Sequence, residues 1–198
     1  MERRSSRGRN DKGSPSGRLR IVAGKWRSRL LPIGDEPGLR PTSERIRETL
    51  FNWLASTIAG SRCLDLFAGT GALGFEALSR GAREVVFVEN SAGAAAALKE
   101  SAEVLEARDA RIVEADGIRY LKGEPQPFDI VFLDPPFAAD LLEDLCRLLS
   151  EDNWLAEDAR IYLEQDRERP LPKLPEGWTV LKEKTAGQVR YALVTVEG

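Results

Sequence analysis

The sequence predicts an α/β domain: a mostly parallel seven-stranded sheet with helices on both faces and a small N-terminal β-hairpin/helix extension. Three observations predict it. Short apolar runs alternate with longer helical patterns through the middle of the chain. Two of those runs, Cys63 to Phe67 and Phe128 to Leu133, open directly into the most distinctive loops, Ala68-Gly69-Thr70-Gly71 and Asp134-Pro135-Pro136-Phe137. Two runs near the end, Trp178 to Lys184 and Val189 to Val196, flank Ala186-Gly187 and read as a closing antiparallel pair.

Composition bounds the function classes. The chain has 198 residues, 42% of them hydrophobic and 31% charged, which suits one well-stocked globular domain with a small appendage. No apolar run reaches the roughly 18 residues of a membrane span, and the basic N-terminus lacks the apolar stretch of a secretory signal, so a cytoplasmic protein is expected. Cys63 and Cys146 have no C-x-x-C partner and read as core residues. Histidine is absent, so chemistry must run on carboxylates, backbone groups and a cofactor.

The net charge of -3 hides an asymmetry: residues 1–47 hold 13 Lys and Arg against 5 Asp and Glu, and the remainder 16 against 27. Residues 1–18, with Arg3, Arg4, Arg7, Arg9 and Lys12 among Gly, Ser and Pro, read as a disordered basic tail or a phosphate-binding arm. Residues 19–57 read as an RNA-binding extension, and 58–198 as the catalytic domain. Within the extension, Leu19 to Leu30 suggests two short strands around Gly24, where Arg20, Lys25, Arg27 and Arg29 interleave with Trp26 as in surfaces that grip RNA. A helix follows, capped by Thr42 or Ser43, with Ile46, Leu50, Phe51, Trp53 and Leu54 on its apolar face. Arg40, Thr42, Arg45 and Arg47 gather at its N-terminus, where an anion is already favoured.

The strand from Cys63 leads into Gly69, Gly71 and Gly74, a G-x-G-x-x-G spacing. NAD enzymes, S-adenosylmethionine enzymes and ordinary strand-turn-helix joints all produce that spacing. Asp65 favours the second, because a carboxylate before the loop repels a pyrophosphate but suits a ligand carrying an ammonium and a sulfonium. Ala72 to Arg80 is then a crossover helix ended by Gly81. Glu84 to Glu89 is a buried strand whose terminal acid, 20 residues beyond Gly69, stands where a carboxylate binds ribose hydroxyls. Ser91 to Glu106 reads as an Ala-rich helix and Ala110 to Ala115 as a strand. Asp116 either accepts from an adenine amine or caps the helix from Gly117 to Leu121.

Asp134-Pro135-Pro136-Phe137 follows the next strand. The lone pair of an exocyclic base amine is delocalised into the ring, and two acceptors on its hydrogens localise it. The Asp134 carboxylate and the Pro135 carbonyl can supply them, since prolines withdraw donors and leave carbonyls facing outward. Phe137 can stack on the base, worth about 1–3 kcal/mol. Asp140 to Leu155 reads as an amphipathic helix and Ala159 to Glu164 as a fifth strand.

Asp65-Leu66-Phe67-Ala68-Gly69-Thr70-Gly71-Ala72-Leu73-Gly74, the Asp-Pro-Pro-Phe motif and above all Leu39-Arg40-Pro41-Thr42-Ser43-Glu44-Arg45-Ile46-Arg47-Glu48-Thr49-Leu50-Phe51-Asn52-Trp53-Leu54 resemble the bacterial 16S rRNA guanine-N2 methyltransferase D (RsmD) family. The resemblance covers about Leu19 to Val196; Ser91 and Ser101 depart from the Asp and Asn often found there. It implies a Rossmann-like class I S-adenosylmethionine-dependent methyltransferase, a monomer needing no metal and no membrane, that methylates guanine 966 (rRNA numbering) of 16S rRNA within the small ribosomal subunit. S-adenosyl-L-methionine would lie on Asp65, Phe67, Ala68, Gly69, Thr70, Gly71, Glu89, Asp116 and Gly117, the guanine on Asp134, Pro135, Pro136 and Phe137, and rRNA on Arg20, Lys25, Trp26, Arg27, Arg40, Thr42, Arg45 and Arg47. A DNA amino-methyltransferase is the nearest alternative, disfavoured because the chain has no room for a target-recognition domain; a non-catalytic ribosome-assembly factor is the other.

Overall fold

The structure, a computed structural model, describes residues 18–32 and 42–196. Nearly all of the expected basic tail, residues 1–17, and Arg40 lie outside the described residues. The chain enters as an antiparallel hairpin, β1 (Arg18–Arg20) with β2 (Leu30–Pro32), followed by α1 (Glu44–Trp53). Ser43 caps α1, its hydroxyl accepting the Ile46 N–H at 3.3 Å.

Seven strands form the main sheet: β3 (Arg62–Asp65), β4 (Glu84–Glu89), β5 (Ala110–Glu114), β6 (Phe128–Leu133), β7 (Leu155–Asp166), β8 (Trp178–Ala186) and β9 (Val189–Val196). Their order is β5-β4-β3-β6-β7-β9-β8, and β9 alone runs against its neighbours. The crossovers are α2 (Ala72–Ser79), α3 (Ala92–Val104), α4 (Gly117–Leu121) and α5 (Leu142–Glu151). Because side chains alternate along a strand, Cys63, Val85, Phe87, Ile130, Phe132 and Tyr162 face one layer, packed with Leu50, Phe51, Leu73, Phe75 and Leu98 of α1, α2 and α3. Leu64, Val86, Val88, Val131, Leu133 and Ile161 face the other, against Leu121, Leu142, Leu145 and Leu149 of α4 and α5. This is the doubly wound α/β arrangement expected.

Some boundaries differ from the sequence expectation. The helix expected from Asp140 starts only at Leu142, because a 3-10 turn at Phe137–Ala139 leads into a left-handed Asp140 (φ 48°). Its C-terminal end gives way to β7, which begins at Leu155 rather than Ala159 and contains a register shift beside a left-handed Asp158. A left-handed Glu106 likewise lies beyond the end of α3 at Val104.

The extension is fastened to the sheet layer through α2. Glu76 is fully buried, and both its oxygens are occupied: Oε2 accepts the Val22 N–H (2.9 Å) and Arg47 Nη1 (3.1 Å), while Oε1 accepts the Ala23 N–H (3.0 Å) and Arg80 Nε (2.9 Å). One turn on, Ser79 receives the same loop: its hydroxyl accepts from Trp26 N and donates to the Ala23 carbonyl, and its own carbonyl accepts from Lys25 N. Gly24 makes this approach possible, since a Cβ there would stand 1.9 Å from the Ser79 carbonyl oxygen.

Arg47 is therefore not the phosphate contact expected of it. It is 1% exposed, paired with Glu76, and donates from Nε to the Thr42 carbonyl at 3.2 Å. Removing it leaves a buried carboxylate with one cation fewer. Arg47→Ala should cost about 3–5 kcal/mol in urea denaturation, whereas Arg45→Ala, at an exposed position on the same helix, should leave the midpoint near wild type.

Candidate active site

The strand order reverses at β3, with β4 and β5 on one side and β6 and β7 on the other. Ligand crevices in open α/β sheets form outside the carboxyl ends of strands at such a point. The chain there is held by two acids. Asp65 Oδ2 accepts the Gly74 N–H at 3.0 Å, and Glu89 accepts from Gly69 N through Oε2 and from Ser91 N through Oε1, both at 2.8 Å. Between these staples Ala68 N donates to the Val88 carbonyl and Gly71 N to the Ala68 carbonyl. Gly71, left-handed at φ 75°, starts α2, and Gly74 lets α2 lie against the sheet: a Cβ would stand 2.1 Å from Phe87 Cε1.

Beside the loop lies a small open hollow lined by Leu66, Phe67, Val88, Glu89, Asn90, Ala115 and Gly117. Asp65, Phe67, Ala68, Gly69, Thr70, Gly71, Glu89, Asp116 and Gly117 thus share the carboxyl ends of β3, β4 and β5. Asp116 takes the capping role: its Oδ1 accepts the Arg119 N–H at 2.9 Å while its side chain is exposed. Asp65 is 2% exposed, and burial raises its pKa to about 7, with the Gly74 N–H opposing and Glu89 adding to the rise. A cation brought against it would return the charge.

The Asp-Pro-Pro-Phe segment lies across the switch point. Parallel register pairs Leu133 of β6 with Leu163 of β7, so the next residues, Asp134 and Glu164, stand side by side on the face shared by Phe132 and Tyr162. The Thr42 hydroxyl lies at the same place, donating to Asp134 Oδ2 at 3.4 Å. The Tyr162 phenol donates to Glu164 Oε2 at 2.6 Å. Burial holds Asp134 well above the ordinary carboxylate range, with Glu164 and then Asp65 adding to the rise. Glu164 is raised too, by burial, against hydrogen bonds from Tyr162 and Thr42. Two carboxylates this close, one buried and one half-buried, disfavour each other's ionised forms. Pro135 is buried, Pro136 is exposed at the start of the 3-10 turn, and Phe137 is half-exposed at the mouth.

The proposed RNA residues divide. Arg20, Lys25, Arg27 and Arg45 are exposed, Arg20 facing Glu44 at 3.7 Å. Trp26 is 8% exposed and packed in the core, with Lys25 Nζ 4.3 Å over its ring, so it offers no stacking face. Thr42 is buried at Asp134 instead of on the surface, and Arg47 is buried on Glu76. Three residues that sequence reasoning gave no role are central: Glu76, Tyr162 and Glu164. Glu164 carried a usable signal, an acid at a strand tip like Glu89, and Glu76 is an acid inside an otherwise apolar helix. Among the described residues no group of three or more His, Cys, Asp or Glu could hold a metal ion, and no helix is long and apolar enough to cross a membrane.

A family model described as Conserved hypothetical protein 95 matches residues 19–195. Ribosomal RNA small subunit methyltransferase D of Escherichia coli (strain K12) is 48% identical over 180 residues, 91% of each chain. The protein of the same name from Haemophilus influenzae is 49% identical over 181 residues, 89% of this chain and 93% of that one. The solved structure of yhhF from Escherichia coli superposes with a TM-score of 0.86 at 45% identity, covering 91% of this chain and 99% of that chain.

The elevated Asp65 carboxyl has a measurable consequence without any ligand. Its folded pKa of about 7 lies above the unfolded value near 3.8, so the folded state holds an extra proton between them and stability falls as pH rises through that window. Asp65→Asn should flatten this part of the thermal-melting profile; a slope as steep as wild type would contradict the assignment.

Proposed function

The chain belongs to the ribosomal RNA small subunit methyltransferase D family, and from that membership we propose that it methylates the exocyclic N2 amine of a guanine in 16S rRNA. The target is guanine 966 in rRNA numbering, within an assembled or assembling small subunit, and the enzyme acts as a monomer in the cytoplasm. The methyl donor is S-adenosyl-L-methionine, which when bound supplies an electrophilic methyl on a sulfonium.

The crevice suits that donor. The hollow along Leu66, Phe67, Val88, Ala115 and Gly117 offers apolar walls for an adenine. Glu89 keeps lone pairs beyond its two backbone donors for ribose hydroxyls, and Asp65 is the carboxylate that the donor's cationic end would ionise. One observation carries the reading of the reaction: Asp134 stands half-buried at the exit of β6, its carboxylate fixed by Thr42, with Pro135 next in the chain and Phe137 at the mouth. Asp134 and the Pro135 carbonyl hold the two amine hydrogens, Phe137 stacks on the extruded base, and placing the amine in line converts a bimolecular encounter into an oriented one. Arg20, Lys25, Arg27 and Arg45 form the exposed basic side that would meet rRNA phosphates, which position the particle without reading sequence.

The test is transfer of radiolabelled methyl to small-subunit particles lacking the modification, with mass mapping of the labelled nucleotide. Label on a guanine N2 supports the reading; label on another base, or none, refutes it. Asp134→Ala should lower single-turnover rate about a hundredfold or more while leaving cofactor affinity near wild type. Calorimetry gives a further expectation. Because a cationic ligand favours ionised Asp65, S-adenosylmethionine affinity should strengthen as pH rises toward about 7, by about tenfold per unit at most, and Asp65→Asn should remove that dependence.

A further inference from the structure

Methylating an amine creates a proton that must go somewhere. As the nitrogen–carbon bond forms, the donor's sulfur–carbon bond breaks, the sulfur leaves as a neutral thioether, and the positive charge passes to the nitrogen, which must shed one N–H proton. The reading above gives that proton a neighbour, Asp134, but an isolated carboxylate with an ordinary pKa near 4 is a weak base toward it.

We propose that Glu164 is a positioning residue that makes Asp134 the proton acceptor: its carboxylate stands against Asp134 across the β6–β7 register, with the Thr42 hydroxyl donating to Asp134. This rests on the methyl-transfer reading and adds a part to it. Four observations carry it. The pairing of Leu133 with Leu163 sets Asp134 and Glu164 at adjacent positions of neighbouring parallel strands, so their proximity is built into the sheet and not into a mobile loop. Glu164 is 4% exposed, an expensive place for a carboxylate that did nothing. Tyr162, on the same face two residues earlier, holds Glu164 Oε2 at 2.6 Å and fixes its orientation. Thr42, immediately before the cap of α1, donates to Asp134 Oδ2 at 3.4 Å and holds that carboxylate in place.

The groups facing Asp134 from each packed element are Asp65 from β3, Glu164 and Tyr162 from β7, and Thr42 from the segment leading to α1; Tyr191 of β9 lies behind Tyr162, at 6.3 Å between ring centroids. No cation stands among those determinants of Asp134. Like charges therefore dominate, and the approach of a proton or a developing ammonium relieves them. In the transition state the Asp134 carboxylate, with Glu164 beside it, attracts the cationic amine. Afterwards the amine proton moves to Asp134, and the pair returns it to solvent when product leaves.

The experiment compares wild type with Glu164→Gln, which keeps shape and the Tyr162 contact while deleting the like charge. Single-turnover methyl transfer to unmodified small-subunit particles is followed across pH at saturating S-adenosylmethionine. In parallel the Asp134 carboxyl is titrated by carbon NMR in the cofactor-free protein, assigned with Asp134→Asn. Glu164→Gln should move the acid limb of the rate profile and the Asp134 titration together to lower pH by about one unit or more. The plateau rate should fall about tenfold, because the base has become weaker. Thr42→Val, which removes the hydroxyl that donates to Asp134 and keeps both charges, should slow transfer without lowering the Asp134 titration. An unmoved acid limb and an unmoved titration in a folded Glu164→Gln, judged by its melting temperature, would overturn the role of Glu164 alone. Absence of transfer by wild type at any pH would overturn the methyl-transfer reading and this inference with it.

Discussion

The interaction on which the rest of the molecule hangs is the burial of Glu76 with all its valences met. A fully buried carboxylate is tolerable only where it is paired and hydrogen-bonded, and here its partners come from three places: backbone amides of the entry loop, Arg47 of α1 and Arg80 at the end of α2. Each of these segments is thereby fixed relative to α2. Since α2 begins at Gly71 and lies flat on Phe87 through Gly74, the same contacts also set the glycine loop. Thr42 reaches Asp134 because Arg47, holding both Glu76 and the Thr42 carbonyl, anchors the start of α1. A side chain outside the crevice thus decides where the hydroxyl beside Asp134 stands.

The sheet and its layers were legible in the sequence because they depend on periodicity, which a single chain displays. Runs such as Glu84–Glu89 and Phe128–Leu133 match the observed strands residue for residue, since both faces are covered and the fully buried positions are all apolar. The ends of α3 and α5 were not legible, because left-handed Glu106 and Asp140 are not glycines and carry no warning. The candidate site was half legible. Residues that act through a local turn, Asp65 to Gly74, and those that follow a strand tip, Glu89 and Asp134, announce themselves by spacing. In the sequence Arg47, Trp26 and Thr42 read as a surface because a basic, aromatic composition does not say which side of a helix or hairpin faces inward. Glu164 and Tyr162 acquire meaning only through the register of β6 with β7, which no local pattern encodes.

Asp65 and Glu89 have a second consequence for the crevice. Each spans the glycine loop to a backbone amide, Asp65 to Gly74 and Glu89 to Gly69, so the loop is closed at both ends before any ligand arrives. The conformational entropy of ordering it is lost on folding and not on binding.

The acids at the strand tips also sort what can enter. Asp65 and Glu89 end β3 and β4, Asp134 follows the last residue of β6 and Glu164 lies near the end of β7, four neighbouring strands, whereas the exposed Arg20, Lys25, Arg27 and Arg45 belong to the extension. Against such a floor a phosphate backbone is repelled, while an uncharged purine edge rich in N–H donors is welcomed. On the proposed reaction a polyanion would stay on the rim and yield only a single base to the interior, and the crevice would work as an electrostatic sieve that separates the letter to be modified from the strand that carries it.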